Sequence, residues 1–376
     1  MSYRRLKAVF VKELRHIIRD KRSLGLALAM PAMMLLLYGF ALSLDVDRIP
    51  MLIYDQDGTA ASRNLARQFR GSRFFEVRGE VHDYHAVDRG IDTSEVLLGV
   101  VIPYDFGEDL AAGRSATVQL LVDGSDSNTS AIASGYAESL VLAYSMEVQS
   151  AILNRRGVKP SASVVAQPRV WYNSSLQSKN FIVPGLIAVV LMMLTGQLTT
   201  LTIAREWELG TMEQILSTPL RPAEIVLGKM LAYFLVGLAD AVLAFLSGVT
   251  VFAVPFRGSV LVLALSTLVF LCGAMFWGIF ISAGVRTQVE AYQMGMLTTF
   301  LPGFLLSGFV FSIDTMPMWL QVLSTVVPSR YFVTILKALF LKGVGLHVLW
   351  PQLVYLALFA GIVYWRSVRR LDQKLA

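Results

Sequence analysis

The sequence predicts an α-helical integral membrane protein with six transmembrane helices, arranged as one span, an α/β domain and five further spans. Three observations lead to this fold class. The residues are 55% hydrophobic and 16% charged, a balance that is rare in water-soluble domains. Six runs reach roughly 20 apolar residues, the length with which a helix crosses a bilayer. A polar stretch of about 135 residues separates the first run from the second, which is enough for a folded domain.

These runs give the boundaries of the predicted segments. Residues 1–23 are predicted as a cytoplasmic amphipathic connecting helix, 45–179 as an extracytoplasmic α/β domain, and 180–376 as a five-helix transmembrane domain. Within this last domain, a cytoplasmic loop covers 204–225 and a re-entrant extracytoplasmic hairpin covers 312–345. The predicted transmembrane helices are 24–44, 181–203, 231–254, 260–283, 292–311 and 348–365.

Basic residues beside the spans predict the orientation of the chain. Lys and Arg far outnumber carboxylates in the first 22 residues, and more basic residues follow the last span. Because Lys and Arg accumulate on the cytoplasmic side, both termini are predicted to be cytoplasmic and the α/β domain extracytoplasmic. The sequence pI of about 9.4 is therefore attributed to membrane topology, and nucleic-acid binding is not predicted.

The N-terminal segment has two further features. Leu6, Phe10, Leu14 and Ile17 recur at helical spacing with basic residues mostly on the other faces, which predicts an interfacial helix under the membrane. The run 24–44 is too long for a signal peptide, and no A-x-A cleavage pattern follows it, so it is expected to remain as an anchor.

Short β-like runs alternate with helical patterns in the predicted α/β domain, as expected for a small α/β unit. Asp126 or Asn128 is predicted to cap the last helix. Residues 157–172 contain Lys159-Pro160 and Gln167-Pro168 and are predicted to be extended. The predicted strands are 51–54, 74–77, 97–102 and 117–122, and the predicted helices are 61–69, a polar helix after 77, 106–112 and 129–153.

Two apolar pieces near the C-terminus are each too short to span a bilayer. They cover 318–327 and 331–341 and are separated by Pro328, with Arg330 and Tyr331 directly after the break. They predict a helical hairpin that enters the outer leaflet. Such an element needs neighbouring protein to satisfy its interrupted backbone.

The sequence excludes several kinds of chemistry. Gly228-Lys229 is followed by Met230, and Ala223 stands where a Walker A motif needs glycine, so no P-loop is present. Neither GxSxG nor HExxH occurs. The one cysteine, Cys272, lies in an apolar run, and no metal site or cofactor is predicted for this chain.

The apolar runs contain one carboxylate, and they also contain Met, Gln and aromatic residues that could line a cavity. Asp240 lies well inside its run, where a carboxylate is costly, so it has either a function or a hydrogen bond to another helix or subunit. Met, Gln and aromatic side chains suit varied apolar ligands, although ordinary helix packing is the alternative for each. The residues predicted to line a translocation path are Met192, Met193, Gln197, Gln293, Met296 and Phe300.

The polar stretch AREWELGTMEQILSTPLRP follows the second run and has the pattern of a short helix. Thr211 and Gln214 have capping-box spacing, and Pro222 suits the first turn of the next helix. Met212, Ile215 and Leu216 form one apolar face. The pattern predicts a short capped helix with an exposed apolar edge, as a docking surface needs.

The residues of this stretch, continued as AREWELGTMEQILSTPLRPAEIVLGKMLAYF, resemble the signature region of permease subunits of bacterial type-2 ABC exporters. The resemblance is to the drug and ion efflux permeases with a large extracytoplasmic domain. It includes the connecting helix VKELRHIIRDKRSL, the order of spans, and the segment SGFVFSIDTMPMWLQVLSTVVPSRYFVTILKALFLKG. It covers nearly the whole chain.

The resemblance implies a permease subunit in the bacterial inner membrane that exports a drug-like, lipophilic or ionic substrate. A second permease subunit would complete the pathway, as a homodimer or a heterodimer with a paralogue. A cytoplasmic ABC ATPase would bind ATP and Mg, and a membrane fusion protein and outer-membrane channel are further expected partners, besides membrane lipids. The residues implied in coupling to the ATPase are Lys12, Arg15, Arg19, Glu206, Glu208, Gly210, Thr211, Met212, Glu213, Gln214, Pro219 and Arg221.

Two other function classes are compatible with a membrane protein that has an extracytoplasmic domain. A membrane receptor or sensor would use the α/β domain to bind a ligand, but no cytoplasmic signalling domain is present in this sequence. A membrane-embedded enzyme would need several polar residues at matching depth, whereas Asp240 stands alone in its run.

Overall fold

The computed structural model describes residues 2–41, 48–155, 171–173 and 177–375. They divide into two compact units, one made of Met1–Ser43 with Arg169–Ala376 and the other of Leu44–Pro168. Nearly all of the predicted extended segment 157–172 lies outside the described residues.

In chain order the helices and strands are α1 (Tyr3–Arg19), α2 (Lys21–Ala41), β1 (Ile49–Asp55), α3 (Ala60–Gly71), β2 (Phe75–Val81), α4 (Tyr84–Asp92), β3 (Leu98–Ile102), α5 (Phe106–Ala112), β4 (Gln119–Val122), α6 (Ser127–Arg155), α7 (Ser178–Glu208), α8 (Thr211–Leu216), α9 (Pro222–Thr250), α10 (Val260–Ser282), α11 (Gln288–Gly295), α12 (Leu301–Leu305), α13 (Met318–Ser324), α14 (Pro328–Lys337) and α15 (Leu346–Leu375).

The Leu44–Pro168 unit is built on a four-stranded sheet with the order β2-β1-β3-β4. β1 pairs in parallel with β2 and β3, while β4 is antiparallel to β3. β3 is buried along its whole length, as expected for a strand that has a neighbour on each side in the sheet. The backbone N–H of Thr129 donates to the Asp126 carboxylate, so the predicted cap of α6 by Asp126 is confirmed.

Among its described residues, the other unit contains five helices that are long and apolar enough to cross a membrane, or six if one bent pair is counted as a span. α7 is the most buried of them, and α10 packs tightly against it. A Cβ on Gly278 of α10 would lie only 2.4 Å from the carbonyl oxygen of Gly196, so only glycine permits this approach. Near the end of α7, the Ser282 hydroxyl accepts hydrogen bonds from the backbone N–H groups of Ile203 and Ala204.

The predicted span 292–311 is helical as far as Leu305, but a π turn interrupts its regular α-helical hydrogen bonding. The chain forms α11, a π turn at Met296–Phe300 and then α12, which ends at Leu305. Pro302 explains the interruption, because its ring excludes the carbonyl group four residues before it and shifts the hydrogen bonding to a wider turn. The Leu301 N–H accordingly donates to the carbonyl oxygen of Met296.

The prediction of a broken helical pair around Pro328 is confirmed. α13 is followed by α14 and a π turn at Ala338–Lys342, with a bend of 85° between them. The Arg330 guanidinium donates to the Ser324 hydroxyl at 2.6 Å and to the Gln321 carbonyl at 3.2 Å, which ties α14 to α13. Entry of this pair into a lipid leaflet stays a prediction.

Candidate functional site

The site begins where α1 packs along the first turns of α9. A Cβ on Gly228 would lie 2.7 Å from Val9 Cβ, so the two helices approach closely at this glycine. The buried carboxylate of Glu224 then holds the start of α1. It accepts the Ser2 N–H at 2.6 Å and forms an ion pair with Arg5 at 3.1 Å. No local spacing in the sequence indicates this contact, because Ser2 and Glu224 are 222 residues apart.

Four charged side chains meet between α1, α7 and α9, and we call them the charge cluster: Lys12, Glu13, Glu206 and Lys229. The Lys229 ammonium is 1% exposed and lies 3.0 Å from the Glu13 carboxylate and 2.9 Å from that of Glu206. The Lys12 ammonium lies 2.5 Å from Glu206 and 3.2 Å from Glu13. Each carboxylate therefore contacts both lysines, and three helices are joined at one point.

Because two lysines face two carboxylates, the charge cluster carries no net charge. Burial alone would raise the pKa of Glu13, but the ammonium groups of Lys229 and Lys12 outweigh it and hold that pKa below its usual value. Burial would lower the pKa of Lys12, yet its contacts with Glu206 and Glu13 raise it. A buried cluster of this kind gives little net stability over apolar packing, but removing one member leaves an uncompensated charge.

The connector between α7 and α9 differs from its prediction in two ways. Thr211 is the first residue of α8 and not its cap, so the predicted capping box is wrong. Gly210 occupies the cap position with φ 71°, a left-handed conformation that turns the chain sharply after α7. The predicted exposed apolar edge is also mostly turned inward, because Met212 is buried and Ile215 packs with it against the core.

The residues implied in coupling fall into three groups by exposure. Glu206 and Met212 are buried, and Thr211 is half-buried. The Glu208 carboxylate accepts the Gln288 N–H at 2.6 Å, which ties the connector to α11. The exposed members are Lys12, Arg15, Arg19, Glu208, Gly210, Glu213, Gln214, Pro219 and Arg221.

Two apolar side chains, Leu209 and Leu216, are 62% and 42% exposed on the same connector. Together with three polar neighbours they form what we call the connector surface: Glu208, Leu209, Glu213, Gln214 and Leu216. A contiguous exposed apolar patch on a soluble surface can mark a site that another protein covers.

The structure brings together only part of the predicted translocation path. Gln197 is buried and its amide donates to the Tyr292 carbonyl at 3.4 Å, joining α7 to α11. Met192 is also buried, beside Gly303. Of the remaining four, Met193 and Phe300 are half-buried, and Gln293 and Met296 are exposed.

Asp240 is fully buried in α9, and neither of its carboxylate oxygens has a hydrogen-bond partner among the described residues. A hydrogen bond to another helix of this chain, one of the two interpretations from sequence, is thus not made there. A functional role, or a partner on a second subunit, stays a prediction.

A cavity of about 590 Å³ lies beside the charge cluster. α1, α7, α8 and α9 and the first turns of α2 line it. Its volume is within the range of small-molecule sites, which runs roughly from 300 to 1,000 Å³. Sequence reasoning missed this cavity because its walls come from distant parts of the chain.

Comparison with known proteins agrees with the resemblance seen in the sequence. The model of the ABC-2 family transporter proteins matches residues 21–369. The chain is 33% identical to the probable multidrug ABC transporter permease YbhS of Escherichia coli K12, over 99% of both chains. It is 32% identical to the permease YbhR of the same strain, over 96% of this chain and 98% of that one. The inner membrane transport permease YhhJ of that strain is 27% identical, over 98% and 97%.

Proposed function

The chain belongs to the ABC-2 transporter family and is a permease subunit of an ABC exporter, and on this premise we propose how it couples to its ATPase. The connector surface docks on a separate cytoplasmic ATPase that binds ATP and Mg. The charge cluster then transmits the movement of the docked region to α7 and α9. The receptor alternative is not favoured.

The observation that carries this proposal is the junction of three helices in the charge cluster. Glu206 lies two residues before Glu208, which ends α7 and begins the connector surface, and it contacts both Lys12 of α1 and Lys229 of α9. A push on the connector therefore cannot move α7 without also moving α1 and α9. The Ser282 hydroxyl bonded to Ile203 and Ala204 extends this junction to α10.

The wider assembly is proposed from the family. A second permease subunit, identical or paralogous, covers the exposed side chains of Gln293 and Met296 and completes the translocation path. We place the chain in the bacterial inner membrane with both termini, α1 and α8 on the cytoplasmic side and the α/β unit outside. The names of YbhS and YbhR favour a drug-like substrate. A membrane fusion protein and outer-membrane channel are further proposed partners.

The test separates docking from folding. The full-length permease is purified with its ATPase after Glu213→Ala and Gln214→Ala are introduced together. Both side chains are exposed. We expect a Kd for the ATPase that is about tenfold weaker, which corresponds to about 1.4 kcal/mol, with an unchanged melting temperature. The matched control is Glu76→Ala, an exposed carboxylate on the α/β unit. Unchanged affinity in the double variant would remove docking from this surface.

A further inference from the structure

The cavity beside the charge cluster has a polar end and an apolar end. On each helix that forms a long wall, the lining residues change from charged to apolar in the same direction. On α7 the lining residues run from Arg205 through Leu201 to Leu198. On α9 they run from Lys229 through Tyr233 to Val236. At seven residues and 1.5 Å per residue, each wall extends about 10 Å from its charged end to its apolar end.

The third wall follows the same order. The chain enters α2 with Asp20 and Ser23 at the polar end, and Leu24 and Ala27 line the deeper part. α1 closes the polar end through Lys12 and His16. A cavity that is charged at one end and apolar at the other, beside helices that cross a membrane, has the polarity of an amphiphile inserted in one leaflet.

The charges in the polar end show which headgroup suits it. Lys12, Lys229, Glu13 and Glu206 neutralise one another in the charge cluster. Arg205, by contrast, lines the cavity without an ion pair among the described residues. A guanidinium in this situation suits a phosphate, which it binds through paired N–H donors.

Asp20 lies at the same end and is the remaining carboxylate of the lining. It accepts the Ser23 N–H at 3.1 Å and its hydroxyl at 2.6 Å, which keeps the carboxylate ionised and in place. Arg205 and Asp20 thus offer one positive and one negative charge to a headgroup, while the rest of the lining is balanced. This pairing suits an ammonium group beside a phosphate.

We propose that this cavity binds one membrane phospholipid with a zwitterionic headgroup, its phosphate at Arg205, its ammonium at Asp20, and an acyl chain along Leu198, Leu201, Ala27 and Val236. The lipid comes from the leaflet on the side of α1 and α8. Leu209 and Gln214 of the connector surface also line the cavity, at its polar end, whereas none of the six residues of the predicted translocation path does.

The test uses the purified full-length chain in detergent with a phosphatidylethanolamine that carries a diazirine on one acyl chain. Neither ATP nor the ATPase is present, so the result does not depend on the docking proposal. We expect photolabelling in the segments 24–27 and 198–205. Unlabelled phosphatidylethanolamine should compete for this label about tenfold better than phosphatidylglycerol or diacylglycerol, a difference of about 1.4 kcal/mol.

Two variants address the two ends of the cavity. Arg205→Gln removes the phosphate partner, and Ala27→Trp fills the apolar end. Each should lower labelling of these segments by about tenfold. Arg366→Gln and Ala29→Trp change an exposed arginine of α15 and an exposed position of α2 that do not line the cavity, and both should label like the unaltered chain. Elution volume and melting temperature check that each variant is folded.

Three results would overturn the proposal. The first is equal labelling in Arg205→Gln, Ala27→Trp and their controls. The second is label spread over the exposed faces of α9 and α15 without enrichment in 24–27 and 198–205. The third is competition by diacylglycerol or phosphatidylglycerol as strong as that by phosphatidylethanolamine, because the headgroup would then not be recognised.

Discussion

Glu206 and Glu213 lie seven residues apart on either side of the same turn, yet the structure gives them opposite environments. Glu206 is 7% exposed and contacts two lysines from two other helices. Glu213 is exposed in the first turn of α8 and has no ion pair among the described residues. The connector thus has an inner carboxylate that joins helices and an outer one that is free for a partner. The sequence pattern did not distinguish them.

The largest effect is expected from Lys229→Met. Removing this ammonium leaves two buried carboxylates facing only the half-exposed Lys12. Breaking a buried ion pair in this way typically costs about 3–5 kcal/mol. We expect a large fall in the melting temperature of the purified chain, measured by tryptophan fluorescence.

A second variant tests the physical reason for this fall. Lys229→Met combined with Glu206→Gln restores a neutral cluster, with Lys12 facing Glu13. It should recover much of the lost stability. A single variant that melts like the unaltered chain, or a double variant no better than the single one, would show that the charges of the cluster are not coupled.

The next largest effect on the stability of the folded chain is expected from acid pH, because acid protonates Glu13. Its pKa is held below the usual value in the folded chain, so its contribution is present above about pH 4.3 and is lost as the pH falls through the lower, folded value. Glu13→Gln should lower the melting temperature at pH 7 and reduce the further loss below pH 4.3. In the control variant Glu76→Gln, the fall in melting temperature at acid pH should be the same as in the unaltered chain. If Glu13→Gln also showed the full fall, other groups and not Glu13 would cause it.

Lys12→Met should have a smaller effect than Lys229→Met. Lys12 contacts the same two carboxylates, but its side chain is 55% exposed, so water screens the interaction. We expect a loss of about 1 kcal/mol or less. If Lys12→Met lowered the melting temperature as much as Lys229→Met, the greater exposure of Lys12 would not reduce its contribution to stability.

The smallest effect on stability is expected at the connector surface. Glu213→Ala removes an exposed side chain, and substitutions of this kind usually change stability by less than about 0.5 kcal/mol. Its melting temperature should match that of the unaltered chain while its affinity for the ATPase falls. A marked fall in melting temperature would make Glu213 part of the folded junction.

Local patterns predicted most of the secondary structure. The predicted runs in the α/β unit correspond to β1, β2, β3 and β4 and to its helices, because alternation of apolar residues and turn signals act over a few residues. The break at Pro328 was predicted for the same reason. The π turn inside the predicted span 292–311 was not predicted, since the effect of Pro302 on the preceding turn was not considered.

The site itself was only partly predictable. The connector and α1 were singled out by charge and periodicity, but the partners in the charge cluster are 194 residues apart for Lys12 and Glu206 and 216 for Glu13 and Lys229. No local spacing indicates such pairs. Gly210 was a usable signal that was missed, since a glycine after a helix end favours a sharp left-handed turn over a capping box at Thr211.

The central claim is that the charge cluster transmits movement from the docked ATPase to the transmembrane helices. The direct measurement is the number of molecules of a transported fluorescent dye exported per ATP hydrolysed, in vesicles that contain the complete transporter. We predict that Lys229→Met with Glu206→Gln binds the ATPase and hydrolyses ATP as the unaltered complex does, while export per ATP falls about tenfold. An unchanged ratio, or equal losses of hydrolysis and export, would contradict the account.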